Sequence, residues 1–123
     1  MSNYIASPYL LYTYKDRLSG ECLYIGRTYQ PFDDRIKGHI YDALNGSHRF
    51  ICQRIRYDME KYGEEWVRKQ FKIVDVETSH DKLCSRETSE IRRCRPLLNM
   101  TKPKTRAEKA KVTKSVRNTK PKI

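Results

Sequence analysis

Tyr9-Leu10-Leu11-Tyr12-Thr13-Tyr14 and, after a polar interval, Cys22-Leu23-Tyr24-Ile25-Gly26 decide the fold. Both runs are rich in aromatic, aliphatic and β-branched residues, the composition of strands. Lys15-Asp16-Arg17-Leu18-Ser19-Gly20-Glu21 between them is polar and carries turn residues, so a β-hairpin is predicted. Strand side chains alternate between faces. Tyr12 and Tyr14 therefore share one face, as do Tyr24 and Gly26, while Leu23 and Ile25 share the other. Burying Leu11, Leu23 and Ile25 leaves Tyr12 and Tyr24 together on the opposite surface. Gly26 there lets something bulky approach the backbone.

Helical patterns follow the hairpin. Pro31-Phe32-Asp33-Asp34 places carboxylates at a helix start, where the dipole favours them. A helix is predicted over about 34–44, with Ile36, Ile40 and Leu44 as its buried stripe and Arg35 and His39 on a neighbouring one. Asn45-Gly46-Ser47 ends it. A second helix, about 48–62, carries Ile51, Ile55 and Met59 in register and stops at Gly63. Phe71-Lys72-Ile73-Val74-Asp75-Val76 reads as a third strand. Thr78-Ser79-His80-Asp81 caps a last helix of about 79–93, ended by Pro96. The order β-β-α-α-β-α defines an α+β domain in which helices flank a small, mainly antiparallel three-stranded sheet.

Charge divides the chain of 123 residues in two. Residues 1–99 carry 17 Lys/Arg against 14 Asp/Glu, a net +3; residues 100–123 carry 9 against Glu108 alone, a net +8. Lys102, Lys104 and Arg106 lie in the second part, where Thr101-Lys102-Pro103-Lys104 recurs as Thr119-Lys120-Pro121-Lys122. The expectation is a domain over 1–99 and, over 100–123, a flexible basic arm that binds DNA. An arm of this kind neutralises phosphates and contributes salt-dependent, sequence-independent affinity. Thr105–Ala110 could form a short helix, too charged to hold alone.

The chain has no run of roughly 18 apolar residues, and Met1–Tyr14 lacks a basic start followed by an apolar core. A membrane span and secretion are therefore not expected. Cys22, Cys52, Cys84 and Cys94 form no C-x-x-C pair, and with His39, His48 and His80 they complete no zinc signature. Free thiols in an intracellular, cytoplasmic or nucleoid-associated protein are expected.

Leu10-Leu11-Tyr12, Tyr24-Ile25-Gly26, Arg35 and His39 on one helix, Glu87 on the last and Asn99 beyond it resemble, in order and spacing, the GIY-YIG nucleases. The resemblance covers residues 9–99 and is nearest to the catalytic domains of phage homing endonucleases. Ser47-His48 and the helix ending Lys61-Tyr62-Gly63 share that layout. The first half-motif reads LLY and keeps only the tyrosine. Either Glu87 or Glu90 could be the helix acid; Ile91, four residues after Glu87, favours Glu87.

The resemblance implies a Mg²⁺-dependent endonuclease, with Mn²⁺ as a substitute, that nicks one strand of duplex DNA per active site as a monomer or transient dimer. Mg²⁺ suits a single carboxylate, Glu87, completed by water and substrate phosphate. Arg35 would hold the phosphate bidentately. With Arg27, Arg35 and the metal favouring its phenolate, Tyr12 would act as general base. By the same resemblance Tyr24 and His39 would position the nucleophilic water, Asn99 would orient the metal-site loop, and Gly26, Arg27 and His48 would meet substrate. His39 could instead satisfy Asp42. Two rival classes are a DNA-binding module of the same fold without catalysis, and a small basic RNA-binding protein.

Overall fold

A computed structural model describes residues 9–16, 18–99 and 106–117. Its elements are β1 (Tyr9–Lys15), β2 (Cys22–Thr28), α1 (Phe32–Leu44), α2 (Phe50–Tyr62), α3 (Glu64–Gln70), β3 (Phe71–Glu77), α4 (His80–Cys94), a 3-10 turn at Leu97–Asn99 and α5 (Arg106–Arg117). The predicted hairpin, third strand and three helices are all present, α1 and α4 within two residues of the expected ends. Ser79 caps α4 by accepting a bond from the Lys82 amide. Gly63, at φ 91°, ends α2 in a conformation that glycine reaches without strain. Beyond it α3 is an unanticipated helix of 7 residues, too short to show a period in sequence.

The sheet is antiparallel throughout, in the order β2-β1-β3. Central β1 sets Tyr12 opposite Gly26 on one side and Ile73 on the other. Helices cover both faces. On one, Leu11 and Ile25 pack against Leu83 of α4. On the other, Tyr12, Tyr14 and Tyr24 join Ile36, Ile40 and Ala43 of α1, Ile51 and Ile55 of α2, and Val67 of α3. The tyrosine face is thus the larger core, not the opposite surface expected from alternation. Its hydroxyls can be buried because each has a polar partner there.

Two local corrections follow from packing. At the Tyr14/Lys15 step β2 has an extra residue: Tyr24 faces Tyr14, Cys22 faces Lys15, and Leu23 lies between. This bulge moves Leu23 to the tyrosine core, away from Ile25. On α1, Ala43 is buried while Leu44 is 63% exposed, so the expected stripe drifts by one residue at the helix end.

The basic arm is also not uniformly an arm. Arg106–Arg117 is a helix, and Val112 and Val116, at i and i+4, belong to the main core. Its stability comes from that docking, since a twelve-residue charged helix is marginal alone. The folded body therefore does not end at residue 99. Lys109, Lys111 and Lys114 project from α5 into solvent. Lys102 and Lys104 lie outside the described residues, and Arg106 is placed by its backbone at the start of α5.

Candidate active site

Four successive residues of β2 organise the site, because alternation sends their contacts to different sides. Tyr24 and Gly26 face α1; Arg27 faces α4; the backbone of Ile25 points outward along the edge. Each meets a side chain that is distant in sequence.

Tyr12 is the centre of the α1 side. Its hydroxyl lies 2.7 Å from His39 Nε2 and accepts a bond from Arg35 Nε at 3.1 Å. The i, i+4 spacing of Arg35 and His39 brings both to one atom, as their shared stripe predicted. His39 is fully buried and pairs with Tyr12, so the Asp42 alternative does not apply. Tyr24 stands beside them, its hydroxyl accepting a bond from Arg49 Nη2 at 3.0 Å. Arg49 was not anticipated. It sits next to His48 at the start of α2, and only the α1–α2 turn carries it to Tyr24. His48 itself is exposed, and its backbone carbonyl accepts a bond from Gln53.

The electrostatics oppose the phenolate expected at Tyr12. Burial pushes the Tyr12 phenol well above the ordinary tyrosine range; Tyr24 adds to this, and Arg35 and Arg49 oppose it without prevailing. Arg27 faces the other side and takes no part. Tyr12 is therefore a neutral phenol. Because its oxygen accepts from Arg35, its own proton is available to His39 Nε2.

Burial, reinforced by Arg35 and Arg49, lowers His39 to about 3, so it is neutral near pH 7. Its unfolded value is about 6.5. Between these values the unfolded chain binds the proton and the folded chain does not, so stability is complete above pH 6.5 and falls as pH drops. The expected slope is up to about 1.4 kcal/mol per pH unit. Urea unfolding between pH 7 and 5, before most carboxylates titrate, should show this slope in the native chain and lose most of it in His39→Gln.

Gly26 lies beneath the Tyr12 ring. A Cβ there would stand 2.5 Å from Tyr12 Cζ and Oη and 2.8 Å from Tyr24 Cε2. The bulky neighbour that requires the glycine is thus the protein's own tyrosine. Gly26→Ala should displace Tyr12 from His39 and cost about 1–3 kcal/mol, read as a lower urea midpoint.

Asn99 holds the edge of β2. Its Oδ1 accepts from the Ile25 amide and its Nδ2 donates to the Ile25 carbonyl, both at 2.8 Å. An edge strand leaves such groups unpaired. Asn99 satisfies both, fixing the backbone between Tyr24 and Gly26. From the 3-10 turn at Leu97–Asn99 it therefore clamps the strand.

On the α4 side, Glu87 Oε1 lies 3.3 Å from Arg27 Nη1. Burial raises the Glu87 carboxyl and Arg27 opposes that rise. Glu90 points elsewhere, bonded to Arg86 and Arg93. Of the two candidates, only Glu87 therefore faces the β2 motif. The site thus has two parts: Tyr12, Tyr24, Arg35, His39 and Arg49 together, and Glu87 with Arg27 across β2.

Among the described residues no group of three or more His, Cys, Asp or Glu could hold a metal ion. Mg²⁺ does not demand such a cage, since it is commonly held by one or two carboxylates, water and substrate phosphate. The half-buried Glu87 beside the Arg27 guanidinium fits that donor chemistry. No helix among the described residues is long and apolar enough to cross a membrane. No known protein family, curated protein or solved structure matches the chain.

Proposed function

We propose that the chain is a metal-dependent DNA endonuclease of the GIY-YIG type, hydrolysing one phosphodiester bond per site. The observation that carries this reading is the convergence of Arg35 and His39 on the Tyr12 hydroxyl. A packing tyrosine needs one hydrogen-bond partner; this one has a cation and a neutral imidazole, the groups that bind a phosphate and accept a proton.

The residues suggest a sequence of roles. Arg35, with Arg49 alongside, pairs with the scissile phosphate and stabilises charge developing on its oxygens. Tyr12 takes a proton from the attacking water at Oη while passing its own to His39 Nε2. This relay requires no phenolate beforehand, consistent with the neutral Tyr12. A phosphate between Arg35 and Arg49 offsets two of the three causes that depress His39, making it a better proton acceptor when substrate is bound. Glu87 would hold Mg²⁺, which when bound supplies Lewis-acid stabilisation of the leaving oxygen. Asn99 and Gly26 hold β2 and Tyr12 in register. Lys109, Lys111 and Lys114 of α5 present positive charge to duplex DNA, in an intracellular setting, whether the chain acts as monomer or transient dimer.

The test is nicking of supercoiled plasmid in Mg²⁺ and in Mn²⁺. Relaxed circles should accumulate with the native chain and not with Glu87→Gln. Nicking that survives this substitution, or none from the folded native chain, removes the assignment. A second reading, DNA binding without catalysis, is favoured by one observation: Tyr12 has no exposed surface. Salt-sensitive DNA retention without cleavage in either metal would select it.

A further inference from the structure

Beside the Arg27–Glu87 pair lies a cluster that the proposed reaction does not use. All four cysteines and all three histidines of the chain lie within the described residues. One of each meets here: His80 and Cys84, at i and i+4 on α4. Cys84 is a half-buried free thiol, and its Sγ is 3.4 Å from His80 Nε2. The other ring nitrogen, Nδ1, is 2.6 Å from the Tyr29 hydroxyl, and the Tyr29 and His80 rings stack at 5.4 Å. Cys84 Sγ also accepts a bond from Arg27 Nη1 at 2.8 Å.

We propose that Cys84 and His80 form a binding site for a thiophilic divalent cation, of which Zn²⁺ is the representative, and that this cation competes with Arg27 for the Cys84 sulfur. The separation of the two donor atoms is the first support. Zinc–sulfur and zinc–nitrogen bonds of about 2.3 and 2.0–2.1 Å at a tetrahedral angle place S and N roughly 3.5 Å apart. The observed 3.4 Å is close to that separation, a cation taking the place of the thiol proton between them, and both ligands stand on one helix.

The orientation of the ring is the second support. Metal-binding histidines commonly donate their other N–H to an outer-shell acceptor, which fixes tautomer and direction. Tyr29 Oη is placed to accept from Nδ1–H, leaving the unprotonated Nε2 on the Cys84 side of the ring. Thiolate and imidazole select zinc-like ions over Mg²⁺, so the site is chemically distinct from that assigned to Glu87.

Binding is an exchange of cations without oxidation. The Cys84 thiol loses its proton to solvent, metal–sulfur and metal–nitrogen bonds form, and the Arg27–sulfur contact breaks. Arg27 keeps Glu87 as a partner. Two protein ligands leave the remaining positions to water, so binding is reversible by a chelator. Two of the other cysteines are less suited: Cys52 is buried, and burial pushes the Cys22 thiol up to about 11, against the thiolate a metal needs.

Titration of the reduced full-length chain with Co²⁺, followed by Zn²⁺ competition, tests the proposal without reference to nuclease activity. One equivalent of Co²⁺ should give a thiolate-to-cobalt charge-transfer band that Zn²⁺ removes. Cys84→Ser should abolish the band, His80→Ala should weaken binding at least tenfold, and Tyr29→Phe should weaken it roughly tenfold. All three positions are at least partly exposed, and circular dichroism checks that each variant is folded. The proposal is overturned if the folded native chain gives no band, if Cys84→Ser keeps it, or if His80→Ala binds as the native chain does.

Discussion

Asp58→Ala is expected to lower the unfolding free energy by about 3–5 kcal/mol. Asp58 is fully buried on α2, and one of its oxygens, Oδ2, accepts both Arg54 Nε at 2.8 Å and the Tyr14 hydroxyl at 2.7 Å. Arg54 is 1% exposed, and its Nη2 lies 3.7 Å from Asp16 Oδ2. Truncating Asp58 takes the shared acceptor from a buried guanidinium and a buried phenol, so part of the desolvation of both is no longer compensated. Against a domain stability of roughly 5–15 kcal/mol, this is a large fraction. The paired replacement Arg54→Met with Asp58→Leu removes both charges together and should be far less damaging. Urea unfolding followed by circular dichroism measures both. A loss below about 1 kcal/mol in Asp58→Ala would show that the network is not coupled as its geometry indicates.

Arg35→Ala is expected to reduce the nicking rate by about 10²–10³-fold, the range for removing one donor aimed at developing negative charge. The side chain donates to the Tyr12 hydroxyl through Nε, so its Nη groups would supply the fork a phosphate needs. Arg35→Lys keeps the charge and loses that fork, and should recover only part of the rate. Arg49→Ala, which acts on Tyr24 from an exposed position, should cost less and raise KM more than it lowers kcat. Single-turnover plasmid nicking separates these cases. Equal losses from Arg35→Ala and Arg49→Ala would place the phosphate between the two arginines instead of chiefly on Arg35.

Much of the site was legible because its residues obey local periods. The strand period placed Tyr24 and Gly26 on one face, and the helical period placed Arg35 beside His39. The helix position of Ile91 favours Glu87 over Glu90, and in the structure Glu87 is the one that pairs with Arg27 of β2. What periodicity missed has no period. Arg49 reaches Tyr24 through the path of a turn. Arg54 and Asp58 sit on the buried face of α2, where an apolar stripe through Ile51, Ile55 and Met59 was expected to account for the core. Charges there are tolerated because they satisfy each other and Tyr14, which no reading of one helix can show.

The opening hairpin shows the same division. Its strands, turn and alternation were determined by the sequence alone, since φ/ψ preference and side-chain alternation are properties of neighbouring residues. Which face became the core was decided by tertiary structure: α1, α2, α3 and α5 cover the tyrosines, and a bulge sends Leu23 to join them. The basic segment was legible as charge, but its two valines acquired meaning only when α2 and the Leu97–Asn99 turn gave them something to pack against. Likewise the protonation of Tyr12 and His39 follows from burial, and burial is a property of the assembled chain.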